Sequence, residues 1–184
     1  MKINSFPYTL KDGRASIIRS PREEDAQEML DFLNAAASET DFIIRSPEDA
    51  EITLDGERAF LQGLIASDCV TMLVCEVEGR VAGNCEIRWN NKLKTRHRAT
   101  VGIALRKEYW NQGIGTRFFQ ELIRIAEDRP ELLQIELEFI EGNARARALY
   151  EKMGFRVTGI LPNAVRLKDG TLLNTYQMIR ELRR

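Results

Sequence analysis

Residues 101–119 read V-G-I-A-L-R-K-E-Y-W-N-Q-G-I-G-T-R-F-F. An apolar run ends near Leu105, a short polar connection follows, and Gly113-x-Gly115 opens a segment with Ile114, Phe118, Leu122, Ile125 and Ala126 on one helical face. The pattern predicts a strand, a tight turn and a helix over 113–129, stopped by Pro130. Glycines in such a turn let the backbone approach a ligand with no Cβ in the way. The first N–H groups of a helix have no internal partner and sit at the positive end of its dipole, so a phosphate or pyrophosphate is the natural guest. The stretch is no Walker A loop, because no Gly-Lys-Ser/Thr follows. It is no dinucleotide fingerprint either, because the third glycine of that pattern is replaced by Phe118. Taken alone, a glycine pair at a helix start is equally compatible with a purely structural turn.

Working outward, residues 15–19 form a short strand after a Lys11-Asp12-Gly13 turn. Ser20 fits a helix N-cap, Pro21 the first helical position and Glu23 the reciprocal partner of a capping box, and helical spacing from Ala26 carries this helix to about Ala37. After a polar connection through Pro47, Phe60, Leu61, Leu64 and Ile65 mark a second helix. Residues 70–77 and 80–89 read as a hairpin about Glu78-Gly79, and 99–105 as the next strand. Residues 134–140 alternate cleanly, with Ile135, Leu137 and Phe139 facing one way. Residues 144–152 form a short helix with Asn143 at its cap and Gly154 past its end. Strands over 155–161 and 171–180 close the chain. The order predicts a mixed α/β (α+β) fold with antiparallel hairpins first and a strand-helix-strand crossover in the middle.

With 184 residues and no linker or repeat, a single domain over 1–184 is expected. A formal charge of −1 argues against a general nucleic-acid or membrane-surface binder. The single histidine, His97, excludes sites built on paired histidines, and no metal site is expected. His97 itself falls in a basic run, 92–98, and reads as a surface residue. Cys69, Cys75 and Cys85 have no close-spaced partners and lie in or beside apolar strand-like stretches, where a free Cys acts as a small buried hydrophobe. This usage suits a reducing, cytoplasmic compartment. Residues 1–10 lack a signal-peptide pattern, and no apolar run approaches the ~20 residues of a membrane span.

Two segments, in order and at the right spacing, resemble the GNAT N-acetyltransferase superfamily. I-A-L-R-K-E-Y-W-N-Q-G-I-G-T, residues 103–116, is similar to the family's acetyl-CoA pyrophosphate loop, written R/Q-x-x-G-x-G/A. L-E-F-I-E-G-N-A-R-A-R-A-L-Y-E-K-M-G-F, residues 137–155, is similar to the strand and helix that follow it. With the element order, the resemblance extends over 15–180. It implies a mostly antiparallel twisted sheet of about six to seven strands, flanked by about four helices, with splayed central parallel strands. It also implies acetyl-CoA as cosubstrate, a small-molecule or peptide amine as acceptor, and a homodimer paired through sheet edges or C-terminal strands. One position departs from the pattern: Trp110 stands where the loop usually has Arg or Gln. The cradling is then left to the backbone of Asn111, Gln112, Gly113, Ile114, Gly115 and Thr116, with the Gln112 side chain as a further donor.

The resemblance also assigns roles. Backbone groups along Ile103, Ala104 and Leu105 would pair with the pantetheine arm, one N–H facing the thioester carbonyl. Tyr150, seven residues past Asn143, would be the general acid that protonates the leaving thiolate; packing of an aromatic ring is the other reading of that position. Asn143 would contact the cofactor as well as cap its helix. The position that often carries the family's basic Glu is Thr100 here, so Glu86, Glu138 or an ordered water chain remain as candidates for the general base, although exposed strand carboxylates are commonly just solvated. Residues 20–57 hold twelve acidic and two basic residues, in the part of the fold that borders the family's acceptor groove, which points to a cationic acceptor such as a polyamine, an amino sugar or a peptide amine. A solvated helix face explains the same count. The alternative function is a non-catalytic acetyl-CoA-binding or sensing domain of the same fold.

Overall fold

In the computed structural model, which describes residues 2–182, the elements run β1 (Phe6–Thr9), β2 (Ala15–Arg19), α1 (Ala26–Glu39), α2 (Leu54–Ala66), β3 (Val70–Val77), β4 (Arg80–Trp89), β5 (Arg98–Leu105), α3 (Ile114–Glu127), β6 (Gln134–Ile140), α4 (Ala144–Lys152), β7 (Arg156–Arg166) and β8 (Leu172–Glu181). The fold is mixed α/β, an open and mostly antiparallel sheet of eight strands in the order β1-β2-β3-β4-β5-β6-β8-β7, with four α-helices. The expected six or seven strands become eight because β1 exists. Its Pro7 argues against a strand on sequence, but β1 is an edge strand, where a residue without an N–H is tolerated. The opposite edge does the same with Pro162. There β7 continues through a register shift between Leu161 and Val165, with Asn163 at φ 55°, and so outruns the 155–161 strand read from sequence.

One cap is corrected. Ser20 does not open the first helix; its Oγ accepts the Ile3 N–H at 2.9 Å. A 3-10 turn over Glu23–Asp25 precedes α1, with Arg22 at its cap and the Asp25 carboxylate accepting the Arg22 N–H at 2.7 Å. The reciprocal acid is therefore Asp25 rather than Glu23, because the chain enters the helix through that extra turn.

The chain divides into two compact units, Met1–Arg88 with Gly102–Phe118, and Trp89–Val101 with Phe119–Arg184. In the first, β1 to β4 pair antiparallel in sequence order, and Glu78 and Gly79 make the β3–β4 turn at φ 51° and 78°. Its core packs Met29, Phe32 and Ala36 of α1 against Leu61 and Leu64 of α2 and Met72, Val74 and Val81 of the sheet. A buried cluster ties β2 to the start of α1. The Arg19 guanidinium pairs with Asp25 at 2.6 and 2.8 Å and with Glu76 at 2.7 and 2.9 Å.

In the second unit, β5 pairs parallel with β6 over Arg98–Thr100, β6 pairs antiparallel with β8, and β8 with β7. The alternation in β6 holds: Ile135, Leu137 and Phe139 are buried, while Glu138 is exposed. Phe119, Phe139, Tyr150 and Phe155 form the aromatic part of this core, with ring centroids 5.4 to 6.3 Å apart. The cysteines are free, and Cys75 and Cys85 are fully buried. Burial pushes the Cys75 thiol up to about 11, so it is no nucleophile.

Candidate active site

The glycine turn is built as a backbone cradle. Asn111 and Gly113 both have positive φ, 64° and 89°, and α3 begins at the next residue. Asn tolerates this region and Gly is at ease in it. The Gly113 carbonyl accepts the Arg117 N–H at 3.1 Å, closing the first helical turn. The N–H groups of Ile114, Gly115 and Thr116 thus lie ahead of the helical ladder, at the positive end of the dipole. A side chain on Gly113 would collide with the Tyr8 hydroxyl, so the turn has no room for a Cβ.

Three contacts pin this loop within the first unit. The Tyr8 hydroxyl donates to the Gln112 carbonyl at 3.1 Å, and the Gln112 side-chain oxygen accepts the Asp12 N–H at 3.1 Å. The Trp110 indole N–H donates to the Leu105 carbonyl at 3.0 Å. Trp110, the departure from the family pattern, thereby fastens the loop back to the strand that precedes it. Gln112, expected as a donor, uses its side-chain oxygen as an anchor to the β1–β2 turn. Neither role was visible in the sequence, because each depends on a partner about 100 residues away or on the path of the turn.

Ile103, Ala104 and Leu105 end β5 beside β4. A Cβ on Gly83 would run into Leu105 and the Ala104 carbonyl, so the glycine permits a close approach there. Next to them lies a cavity of about 450 Å³ lined by Met29, Leu33, Ile52, Glu57, Phe60, Met72, Asn84, Glu86, Arg88 and Gly102 to Ala104. Glu86 is in this wall, its two oxygens held by Arg88 at 2.6 and 2.9 Å. The Arg88 guanidinium also lies over the Phe60 ring, 5.9 Å from its centroid. Glu57, which sequence reading passed over, is buried in the wall, and burial pushes its carboxyl above the ordinary range. Its signal was present: an acid at position 57 shares the i, i+4, i+7 face of α2 with Leu61 and Leu64.

The second unit holds the remaining candidates. Tyr150 is 6% exposed and packs against Phe119, Phe139 and Phe155. Asn143 caps α4, its side-chain oxygen accepting the Ala146 N–H at 3.1 Å. Glu138 is exposed on β6, and Thr100 is exposed on β5. His97 is half-buried, and its carbonyl accepts the Leu133 and Gln134 N–H groups at 2.8 and 3.3 Å. Much of the acidity of residues 20–57 is answered inside the first unit. Besides the Arg19 cluster, Glu28 accepts from Arg106 at 3.1 Å and from the Val81 N–H at 3.0 Å, and Glu39 accepts the Lys107 N–H at 2.6 Å. Among the described residues no group of three or more His, Cys, Asp or Glu comes together to hold a metal ion, and no helix is long and apolar enough to cross a membrane.

A glycine turn at the start of α3 thus follows a central strand, and a cavity lies beside that strand. The acetyltransferase (GNAT) family model matches residues 28–155, well over half of the chain, and the chain belongs to that family of acetyl-CoA-dependent N-acetyltransferases. It is 27% identical over 111 residues to the L-amino acid N-acetyltransferase AaaT of Escherichia coli K12, a match covering 60% of this chain and 68% of that protein. A GNAT-family acetyltransferase from Streptococcus pneumoniae superposes with a TM-score of 0.84 and 28% identity, over 90% of this chain and 99% of that one. The structure of yncA from Salmonella typhimurium with its cofactor acetyl-CoA has a TM-score of 0.76 at 22% identity, over 91% of this chain and 94% of that one, and shares the fold.

Proposed function

We propose that this chain moves the acetyl group of acetyl-CoA to a primary amine by direct attack in a ternary complex, with the acceptor held in the cavity beside β5. The observation that carries this reading is the adjacency of two features in one unit. The cradle at 111–116 follows directly on the strand whose residues Gly102 to Ala104 form part of the cavity wall. The N–H groups at the start of α3, which lie ahead of the helical ladder, suit a pyrophosphate, and the positive φ of Asn111 and Gly113 shapes the turn that presents them.

In this reading the backbone of Ile103 and Leu105 pairs with the pantetheine arm, and one N–H faces the oxyanion that develops on the thioester carbonyl. The Leu105 carbonyl already receives the Trp110 indole, which holds that stretch of backbone in place. Holding amine and thioester together supplies much of the acceleration. Tyr150 gives its proton to the departing thiolate, and Asn143 combines its cap with a cofactor contact. A covalent acetyl-enzyme is disfavoured, because no cysteine lies in the two cofactor motifs and burial makes the Cys75 and Cys85 thiols hard to ionise. The AaaT relative acts on L-amino acids by name, and a small amine of that size suits a cavity of about 450 Å³. The test is thiol release from acetyl-CoA with a panel of amines, including L-methionine, L-leucinamide, phenethylamine and spermidine. Amine-dependent release with formation of the N-acetyl product supports the reading, and acetyl-CoA binding without any such release supports a sensor instead.

A further inference from the structure

The cavity wall contains one acid, Glu57, for which no ion pair or hydrogen-bond donor is found among the described residues. Glu57 is 3% exposed, and its Oε1 is buried with no hydrogen-bond partner among the described residues. The other charges of the wall answer each other, since both oxygens of Glu86 are taken by Arg88. Asn84 is the remaining polar side chain of the wall; Met29, Leu33, Ile52, Phe60 and Met72 are apolar. A carboxylate withdrawn from water without a partner is strongly unfavourable, and such groups are kept where a ligand completes them. Burial accordingly holds the Glu57 carboxyl above its ordinary range.

Resting on the amine-acceptor reading above, we propose that Glu57 binds the acceptor's ammonium group inside this cavity, and that the acceptor is a primary amine with an apolar body. One unanswered negative charge among apolar side chains matches one positive charge on an apolar frame, and a polycation would leave its further charges unpaired in that wall. Glu57 is then also the group that receives the ammonium proton. The N–H bond breaks, its electron pair stays on nitrogen, and the proton passes through the carboxylate to water. The neutral amine attacks the thioester carbon, so the C–N bond forms and the C–S bond breaks. The thiolate takes up the second proton lost from nitrogen, so no net charge is left on either product. Glu86, with both oxygens committed to Arg88, is less able to do this.

The experiment is equilibrium binding of phenethylamine to the full chain in the presence of CoA, by calorimetry, for the wild type and Glu57→Gln. The expected result is at least 10-fold weaker binding in the variant, with ethanolamine, which lacks the apolar body, at least 10-fold weaker than phenethylamine on the wild type. The thermal midpoint of Glu57→Gln should be no lower than that of the wild type, which separates loss of an ammonium ligand from loss of structure. Affinities within twofold between the two proteins, ethanolamine binding as well as phenethylamine, or no amine binding to the wild type would each overturn the proposal. Binding of phenethylamine that depends on Glu57, with no N-acetyl product from acetyl-CoA, contradicts the transfer reading and leaves the ammonium site standing.

Discussion

The Tyr8 hydroxyl occupies the space that a side chain on Gly113 would need, while donating a hydrogen bond to the neighbouring Gln112 carbonyl at 3.1 Å. An edge strand therefore props the cradle from below, and the glycine is required twice, for its φ of 89° and for this approach. Gly113→Ala should lose stability by about 1–2 kcal/mol from backbone conformation alone and weaken acetyl-CoA binding at least 10-fold, measured by calorimetry. Adding Tyr8→Phe removes the oxygen that collides and should recover part of the affinity. Unchanged affinity in the single variant would contradict the cradle.

Tyr150 is buried among aromatic rings, so loss of its hydroxyl preserves most of the packing. Tyr150→Phe should lower kcat at least 10-fold, while the KM for acetyl-CoA stays within about twofold and the thermal midpoint moves little. An unchanged kcat would reduce Tyr150 to a packing residue.

Periodicity made most elements readable. The clean alternation of Ile135, Leu137 and Phe139 and the Glu78-Gly79 turn are found as expected. Local pattern failed where tertiary position decides. Pro7 and Pro162 look like breaks and lie in edge strands, and Ser20 looks like a cap but serves Ile3. The glycine turn and Asn143 were legible because backbone conformation and capping are local chemistry. The cavity was not, because its wall gathers residues from 29 to 104. Glu57 was legible only as an acid on an apolar helix face, and its lack of a partner is a fact of packing.

The Arg19 cluster makes an acid-sensitive clamp in the first unit. Burial alone would push the Asp25 carboxyl up, but hydrogen bonds from Arg19 and Arg22 outweigh it and hold the carboxyl below the ordinary range. A depressed folded value means the stabilisation is complete above the unfolded carboxylate value and is lost as pH falls through the folded one. Arg19→Met should cost roughly 3 kcal/mol at neutral pH, by urea denaturation, because it strands Asp25 half-buried beside Glu76. The deficit relative to wild type should shrink as the pH is lowered into the acid range.

Glu57 carries the opposite sign. Its carboxyl is raised by burial, so the folded state binds the proton more tightly than the unfolded chain does. Its contribution to stability therefore worsens as pH rises from the ordinary carboxylate range through the raised value. Glu57→Gln removes that cost. Its thermal midpoint should match the wild type below about pH 4 and exceed it at neutral pH. A variant less stable than wild type at neutral pH would mean that the carboxylate is satisfied in the fold.

Direct transfer requires acetyl-CoA and the amine to be bound at the same time. Initial rates of thiol release, with acetyl-CoA varied at several fixed concentrations of phenethylamine, test it most directly. Double-reciprocal lines that intersect, the signature of a ternary complex, are the expected result. Parallel lines, or thiol release that does not depend on the amine, would contradict it.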